Sequence, residues 1–281
     1  MHSVNKAIAG CTLAIASMSV AQTADAPTGN LRYDVNDAQA AVTAIPSGSP
    51  LESVCHLKTR RTFHLLGFGW SKNTGSGVLY KGRYIITAGH NIFQDFTNLK
   101  AISVQCGRRE TEATIDMVAH SSGEWEARDA KGYFPMGGKD FHRDFGVIRL
   151  KDPIVVAKPF TLAEKVGQAE EKVHFAGYPV EKDKNNNVLN GRNGYRLFSA
   201  MATLKDEPAP VRYGATRDLI YYDLKTFGSN SGGPVWRMGT DGTPELVAVH
   251  VTNSGGRIVD EPFRKEIDRL IKVLDERAAR R

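Results

Sequence analysis

Gly75-Ser76-Gly77-Val78-Leu79-Tyr80-Lys81-Gly82-Arg83-Tyr84-Ile85-Ile86-Thr87-Ala88-Gly89-His90 reads as a strand, a turn, a second strand and a histidine just past its end. Ser76–Tyr80 and Tyr84–Thr87 are apolar and rich in β-branched and aromatic residues, and Lys81-Gly82-Arg83 between them has hairpin-loop chemistry. Outward from this hairpin the same signals recur at Ser53–Leu57, Thr62–Phe68, Ala101–Gln105, Phe145–Leu150, Lys172–Ala176, Leu219–Leu224 and Leu246–Val251. Glycines punctuate these runs and no long helical period lies among them, so the expected class is all-β. A composition break at Lys151–Ala163 is the expected join between two β lobes, and no internal repeat is visible.

Composition narrows the function classes. The chain has 281 residues, 41% hydrophobic and 24% charged, which excludes collagen-like, coiled-coil and wholly disordered chains. A net charge of +6 fits a generic basic surface or attraction to nucleic acid or an anionic envelope. No zinc-type Cys/His spacing, phosphate-cradling glycine loop or aromatic-basic RNA motif accompanies it. Neither a cofactor, a metal nor a nucleic-acid partner is therefore expected.

The N-terminus carries an export pattern. Met1–Lys6 is a short basic start, Ala7–Ala21 is small and apolar, and Ser19-Val20-Ala21 offers a peptidase cut after Ala21. Fifteen residues are too few for a spanning helix, which needs about 20, and no stable membrane insertion is expected. Cys11 mimics a lipoprotein box, but most of the apolar run follows it, so it is read as a signal-peptide residue. The mature chain then keeps Cys55 and Cys106, either as one disulfide or as two buried thiols. Gln22–Pro50 reads as a leader, a linker or a propeptide. At the other end, Asp260-Glu261-Pro262 caps a helix over about 260–278, with Phe263, Ile267, Leu270, Ile271 and Leu274 on one face and Arg277, Arg280 and Arg281 at its negative end.

Three short segments carry chemistry. Thr87-Ala88-Gly89-His90 ends a strand, Asp144-Phe145-Gly146-Val147-Ile148-Arg149-Leu150 sets an acid before a buried strand, and Gly228-Ser229-Asn230-Ser231-Gly232-Gly233-Pro234 places serines in a glycine-rich turn. A serine hydroxyl is a poor nucleophile at neutral pH and needs a base within reach. Histidine can take that proton and return it to a leaving amine, and a buried carboxylate orients the imidazole. Backbone N–H groups of a tight glycine turn can hold the developing oxyanion. Asp140 is a rival acid without an apolar strand behind it, and His56, His64, His120, His142 and His174 share no metal-like spacing.

The order His90, Asp144, Ser231 with these flanks resembles the chymotrypsin/trypsin superfamily of serine endopeptidases, closest to the bacterial glutamyl-endopeptidase branch. Phe175-Ala176-Gly177-Tyr178-Pro179 resembles a signature between aspartate and serine, and Leu246–Gly256 resembles the strand after the serine. The likeness runs from about Ser53 to the end. It implies two six-stranded β-barrels and a C-terminal α-helix in a domain over 51–281, with lobes at about 51–155 and 156–258. It also implies His90 as general base, Asp144 as its orienting acid, Ser231 as nucleophile, and the backbones of Ser229 and Ser231 as the oxyanion hole. The family usually has glycine where Ser229 stands, which keeps an inactive homologue that binds a protein or a surface as the alternative.

The same resemblance points to substrate. The position that holds an aspartate in trypsin-like enzymes is Lys225 here, so a pocket for basic residues is not expected. Thr226 and His250 match the threonine and histidine with which glutamyl endopeptidases hold an acidic side chain. Val251 and Thr252 would offer a strand edge to an extended substrate. The expectation is a monomeric exported protease that cuts polypeptides after Glu, less well after Asp.

Overall fold

A computed structural model describes residues 39–63, 70–92, 97–107, 109–113, 117–120, 143–182, 188, 195–206 and 218–281. The expected signal segment 1–21, His64, Asp140 and His142 lie outside them. The strands, in chain order, are β1 (Ala40–Ala41), β2 (Val54–Phe63), β3 (Trp70–Tyr80), β4 (Tyr84–Thr87), β5 (Thr97–Cys106), β6 (Arg109–Ala113), β7 (Val118–His120) and β8 (Gly146–Arg149). They continue with β9 (Thr161–Leu162), β10 (Lys172–Gly177), β11 (Phe198–Lys205), β12 (Leu219–Tyr222), β13 (Pro234–Met238), β14 (Pro244–Thr252) and β15 (Gly255–Ile258). A single helical turn, α1 (Gly89–Ile92), follows β4, and α2 (Glu261–Ala279) ends the chain.

These strands form two sheets. The second is ordered β11-β10-β13-β14-β15-β12, and pairing of β12 with β11 closes it into a six-stranded barrel, with β1 added beside β11. The first runs β6-β5-β2-β3-β4-β8-β7. Among the described residues it has seven strands and its ends do not pair, so the first lobe is a half-barrel where a second six-stranded barrel was expected. The Lys81-Gly82-Arg83 hairpin forms as its chemistry requires: Tyr80 faces Tyr84, and Lys81 and Gly82 turn the chain with φ of 49° and 68°. The stretch after β8 leaves the first sheet with Ile154 N–H donating to Gly82, and Ala163 N–H then donates to Leu246 in the second.

One apolar core joins the lobes. It takes Val54, Val78, Ile86 and Val147 from the first sheet, Ala176, Trp236, Leu246 and Val249 from the second, and Phe263, Ile267, Leu270 and Leu274 from α2. Each of those four helix side chains is buried, at roughly 1.5–3 kcal/mol apiece. Asp260 accepts from Phe263 N–H at 2.8 Å as the helix cap, and Tyr84 and Arg149 both donate to Asp275, which fastens the helix to the first lobe.

One sequence expectation changes. Ser53–Leu57 and Thr62–Phe68 were separated by the polar Lys58-Thr59-Arg60-Arg61, yet β2 runs through it, with Thr59 and Arg61 buried and Lys58 and Arg60 exposed; residues 64–68 lie outside the described set. The alternation is present, but with polar residues on the inward side. Of the leader, linker or propeptide segment expected over Gln22–Pro50, residues 22–38 lie outside the described residues. Gln39 is buried and donates to the Lys225 carbonyl, β1 pairs with β11, and Val42 and Ile45 pack on the joint core.

Cys55 and Cys106 face each other across β2 and β5 and are joined by a disulfide closing a sequence separation of 51. Loop-closure entropy for a ring of that size is about 4 kcal/mol. The double variant Cys55→Ala/Cys106→Ala is expected to melt well below the parent chain, and a reductant is expected to lower the parent's midpoint but not the variant's. Equal midpoints in a thermal scan would show that the bridge contributes nothing.

Candidate active site

Sheet register brings the histidine and the acid together. Thr87 faces Gly146 across β4 and β8, so His90, three residues past that rung, meets Asp144, two before it. Asp144 grips His90 at two points: Oδ1 accepts the His90 backbone N–H at 2.8 Å, and Oδ2 lies 2.7 Å from Nδ1. The carboxylate is fully buried, while His90 keeps 26% of its side chain exposed. Burial is the largest influence on the His90 pKa and pulls it down. The charge and hydrogen bond of Asp144 outweigh it, and the result is raised despite a further lowering by Arg61. Arg61 is itself buried, donates to the Asn91 carbonyl at 2.6 Å, and is brought down to about 10 by desolvation.

The serine loop is folded by two tight bonds, Asn230 N–H to Phe227 and Gly233 N–H to Asn230. Gly232 has a φ of 86°, and a Cβ there would stand 2.0 Å from the Ser76 carbonyl, so no other residue fits. The first lobe then clamps the loop. The Ser231 carbonyl accepts from Ser76 N–H at 2.8 Å and from Asn91 Nδ2 at 2.7 Å. Ser76 Oγ accepts from Tyr178 N–H and donates to the Ser229 carbonyl, both at 2.8 Å. Ser231 Oγ makes no hydrogen bond to His90 Nε2 among the described residues. Such bonds are commonly long in unliganded sites and tighten around substrate.

Ser229 adopts a φ of 72°, the left-handed conformation that glycine takes without penalty. The Gly228 carbonyl accepts from Val180 N–H at 2.7 Å. The peptide is trans, so the Ser229 N–H on its other edge points away from Val180. Among the described residues neither the Ser229 nor the Ser231 N–H has a hydrogen-bond partner.

On the far side of the loop His250 is tied in by its backbone, accepting from Gly232 N–H and donating to Gly233. Its ring is buried beside Phe175 and bonds through Nδ1 to the Tyr222 hydroxyl. Desolvation first, and the nearby His90 second, lower its pKa to about 3, so the ring is neutral. Thr226 Oγ1 donates to the Asn253 carbonyl, and Lys225 Nζ lies over the Phe227 ring at 5.7 Å. Val251 is buried and Thr252 half-buried. One side of this stretch pairs with β15, while β13 pairing stops at Pro234 opposite Val249.

Every sequence-selected site residue thus lies around this loop except the disulfide pair, which stands in the wall of the first lobe. Thr74, Ser76, Asn91, Arg61 and Tyr222 were not anticipated. Asn91 directly follows His90 and Ser76 lies inside the quoted hairpin, but their partners stand far away in sequence, where no local pattern reaches. Of the other histidines, His56 lies against Tyr178 and Tyr195, and His174 stacks on Trp236. Among the described residues no group of three or more His, Cys, Asp and Glu is placed to hold a metal ion.

A family model for the trypsin-like peptidase domain matches residues 75–249, and the chain belongs to that family. It is a serine endopeptidase, a hydrolase whose substrates are polypeptides. A curated relative named extracellular metalloprotease, from Bacillus subtilis (strain 168), is 22% identical over 245 residues, covering 84% of this chain and 68% of the relative. The solved structure of a Glu endopeptidase in complex with MPD matches with a TM-score of 0.57 at 17% identity, over 83% of this chain and 95% of that one. An inactivated protease paralogue of the scabies mite matches with 0.53 at 13%, over 81% and 99%. These structural likenesses show the fold, which a Glu endopeptidase and an inactivated paralogue share, so the chemistry rests on this chain's own side chains.

Proposed function

We propose that this chain is an exported, monomeric serine endopeptidase that cleaves through His90, Asp144 and Ser231 and prefers Glu, then Asp, before the scissile bond. The single observation that carries the catalytic reading is the two-point grip of Asp144 on His90, because it fixes a proton on Nδ1 and leaves Nε2 as the base. Ser231 Oγ attacks the peptide carbonyl carbon as Nε2 takes its proton. The oxyanion is received by the unpaired N–H groups of Ser229 and Ser231. His90 then gives the proton to the leaving amine, and water, activated in the same way, releases the acyl group from Ser231.

Acidic specificity rests on neutral donors. A carboxylate leaving water needs hydrogen-bond donors or positive charge in its place. His250 is neutral at working pH. With the Tyr222 O–H donating to Nδ1, the ring proton sits on the other nitrogen, and a substrate carboxylate would compete for the ring with its backbone hydrogen bond to Gly255. The Thr226 hydroxyl, which here donates to the Asn253 carbonyl, would have to turn to the carboxylate, and Lys225, drawn over Phe227, contributes its charge from a distance. The substrate backbone adds along Val251–Thr252, on the side that β13 does not reach. Export rests on the Met1–Ala21 pattern and on a disulfide that oxidising compartments preserve.

Cleavage mapping tests the reading. The chain and its Ser231→Ala variant are incubated with a denatured protein mixture, and new termini are read by mass spectrometry. Ser231-dependent cuts clustered after Glu are expected. His250→Ala or Tyr222→Phe is expected to erode the preference for Glu over Gln, with loss of a buried partner worth about 2–5 kcal/mol for the former. Serine-dependent cuts with no acidic preference would discard the pocket and keep the triad. Material found only inside the cell, with Met1 retained, would discard export.

A further inference from the structure

We propose that Thr74 is a positioning residue of the oxyanion hole: its hydroxyl, acting through the Ser229 side chain, holds Ser229 in the left-handed conformation that keeps the Ser229 N–H turned toward the reacting carbonyl. The inference rests on the reading of that N–H as an oxyanion donor. Thr74 Oγ1 and Ser229 Oγ lie 2.5 Å apart, across 155 residues of sequence. Thr74 is placed firmly for this. It stands on β3, opposite Lys58 of β2, in a ladder that continues rung by rung from Val54 to Thr62. As a β-branched residue it has few χ1 choices, so its hydroxyl direction is largely preset.

The need for a latch follows from the residue at 229. A glycine would keep a φ of 72° unaided, whereas a serine there favours a return to negative φ. That return rotates the Gly228–Ser229 peptide. Gly228 has open space around it, with only Val180 Cγ2 at 3.9 Å from a built Cβ, and glycine at that position accepts either orientation. Rotation would turn the Ser229 N–H out of the site and bring the Gly228 carbonyl in, which leaves the oxyanion without one donor. Three bonds oppose it: Val180 N–H to the Gly228 carbonyl, Ser76 Oγ to the Ser229 carbonyl, and Thr74 to the Ser229 hydroxyl. Only the last depends on a side chain at 229. The serine thus supplies both the conformational penalty and the handle that offsets it.

The test uses the full mature chain, with two readouts that need no assumption about specificity pockets: the rate of inactivation by a small fluorophosphonate, and the split of kcat from KM on a peptide the enzyme cleaves. Thr74→Val is expected to slow inactivation and lower kcat roughly 5- to 30-fold, the factor that corresponds to one left-handed penalty, with KM within about twofold. Ser229→Ala removes the same bond from the other side and is expected to show the same loss, which covers the case of a poorly folded Thr74→Val. Thr74→Ser keeps the hydroxyl and is expected to recover most of the rate. The deciding result is in the Ser229→Gly background, where Thr74→Val is expected to cost less than about twofold because glycine needs no latch. An equal loss in that background would make Thr74 a merely structural residue and overturn the proposal, as would full rates in Thr74→Val and Ser229→Ala. Labelling that persists in Ser231→Ala would instead remove the triad reading, and the latch with it.

Discussion

Replacing Ser231 with Ala is expected to abolish covalent labelling by a fluorophosphonate and to lower kcat by about six orders of magnitude, and Asp144→Asn is expected to lower kcat by about four. The smaller loss is the more informative. Asp144 accepts two hydrogen bonds from His90, one at the backbone N–H and one at Nδ1. An asparagine has one acceptor oxygen. If it keeps the backbone bond, its amide N–H₂ faces Nδ1, drives the ring proton to Nε2 and removes the base. The variant should fold, because shape and volume are nearly unchanged, and its KM should stay close to the parent's.

The pH profile carries the same logic with a definite sign. In the proposed mechanism activity needs neutral His90, and Asp144 raises the His90 pKa above its ordinary value near 6.5. The acid limb of kcat/KM is therefore expected above that value. In Asp144→Asn the raising influence is gone while burial and Arg61 remain, so the limb of the residual activity moves below 6.5. A limb that stays in place in this variant would show that another group titrates, and kcat within tenfold of the parent would remove Asp144 from the mechanism.

The residues of the proposed triad were legible because each sits at the end of a strongly apolar strand, and β4 and β8 are neighbours in one sheet. The C-terminal helix was legible for a similar reason, since its cap, its apolar face and its basic end all lie within one stretch. What escaped was long-range or inverted. Arg61 points inward from β2 and breaks the local pattern, yet it has a partner in the Asn91 carbonyl. The short strands β1, β6, β7, β9, β13 and β15 take their existence from neighbours rather than from their own periodicity, and Gly255-Gly256 within β15 would read alone as a turn. Ser76 carries no signal of its own, although it clamps both Ser229 and Ser231 from the other lobe. Those contacts depend on how two lobes meet, which one-dimensional pattern does not encode.

Acid is expected to unfold the protein steeply, separately from the loss of catalysis, because two buried histidines must stay neutral. His56, between Tyr178 and Tyr195, is lowered from 6.5 to about 3 by desolvation first and by Lys58 second. His250 is lowered to about 3 by desolvation first and by His90 second. Both folded values lie below the unfolded value, so the unfolded chain binds more protons between pH 6.5 and 3. Stability from these groups is fully present above 6.5 and falls as pH drops through that window. Each contributes a slope of roughly 1 kcal/mol per pH unit, and the two together should remove about 7 kcal/mol by pH 3, a large share of a typical domain stability of about 5–15 kcal/mol. His90 acts in the opposite sense and in another window. Its folded pKa is raised, so its contribution is complete below 6.5 and fades only as pH rises through the raised value, which leaves the acid slope untouched. The measurement is the urea midpoint at pH 7, 6, 5 and 4. His56→Phe keeps a ring between the two tyrosines, removes a buried Nε2 that has no partner, and should lose about half of the slope. A midpoint flat from pH 7 to 4, or a slope unchanged in His56→Phe, would mean that these rings are reached by water or protons without unfolding. Since His90 titrates above 6.5 and the fold yields below it, brief exposure to pH 6 should silence the enzyme reversibly, and only lower pH should cost structure.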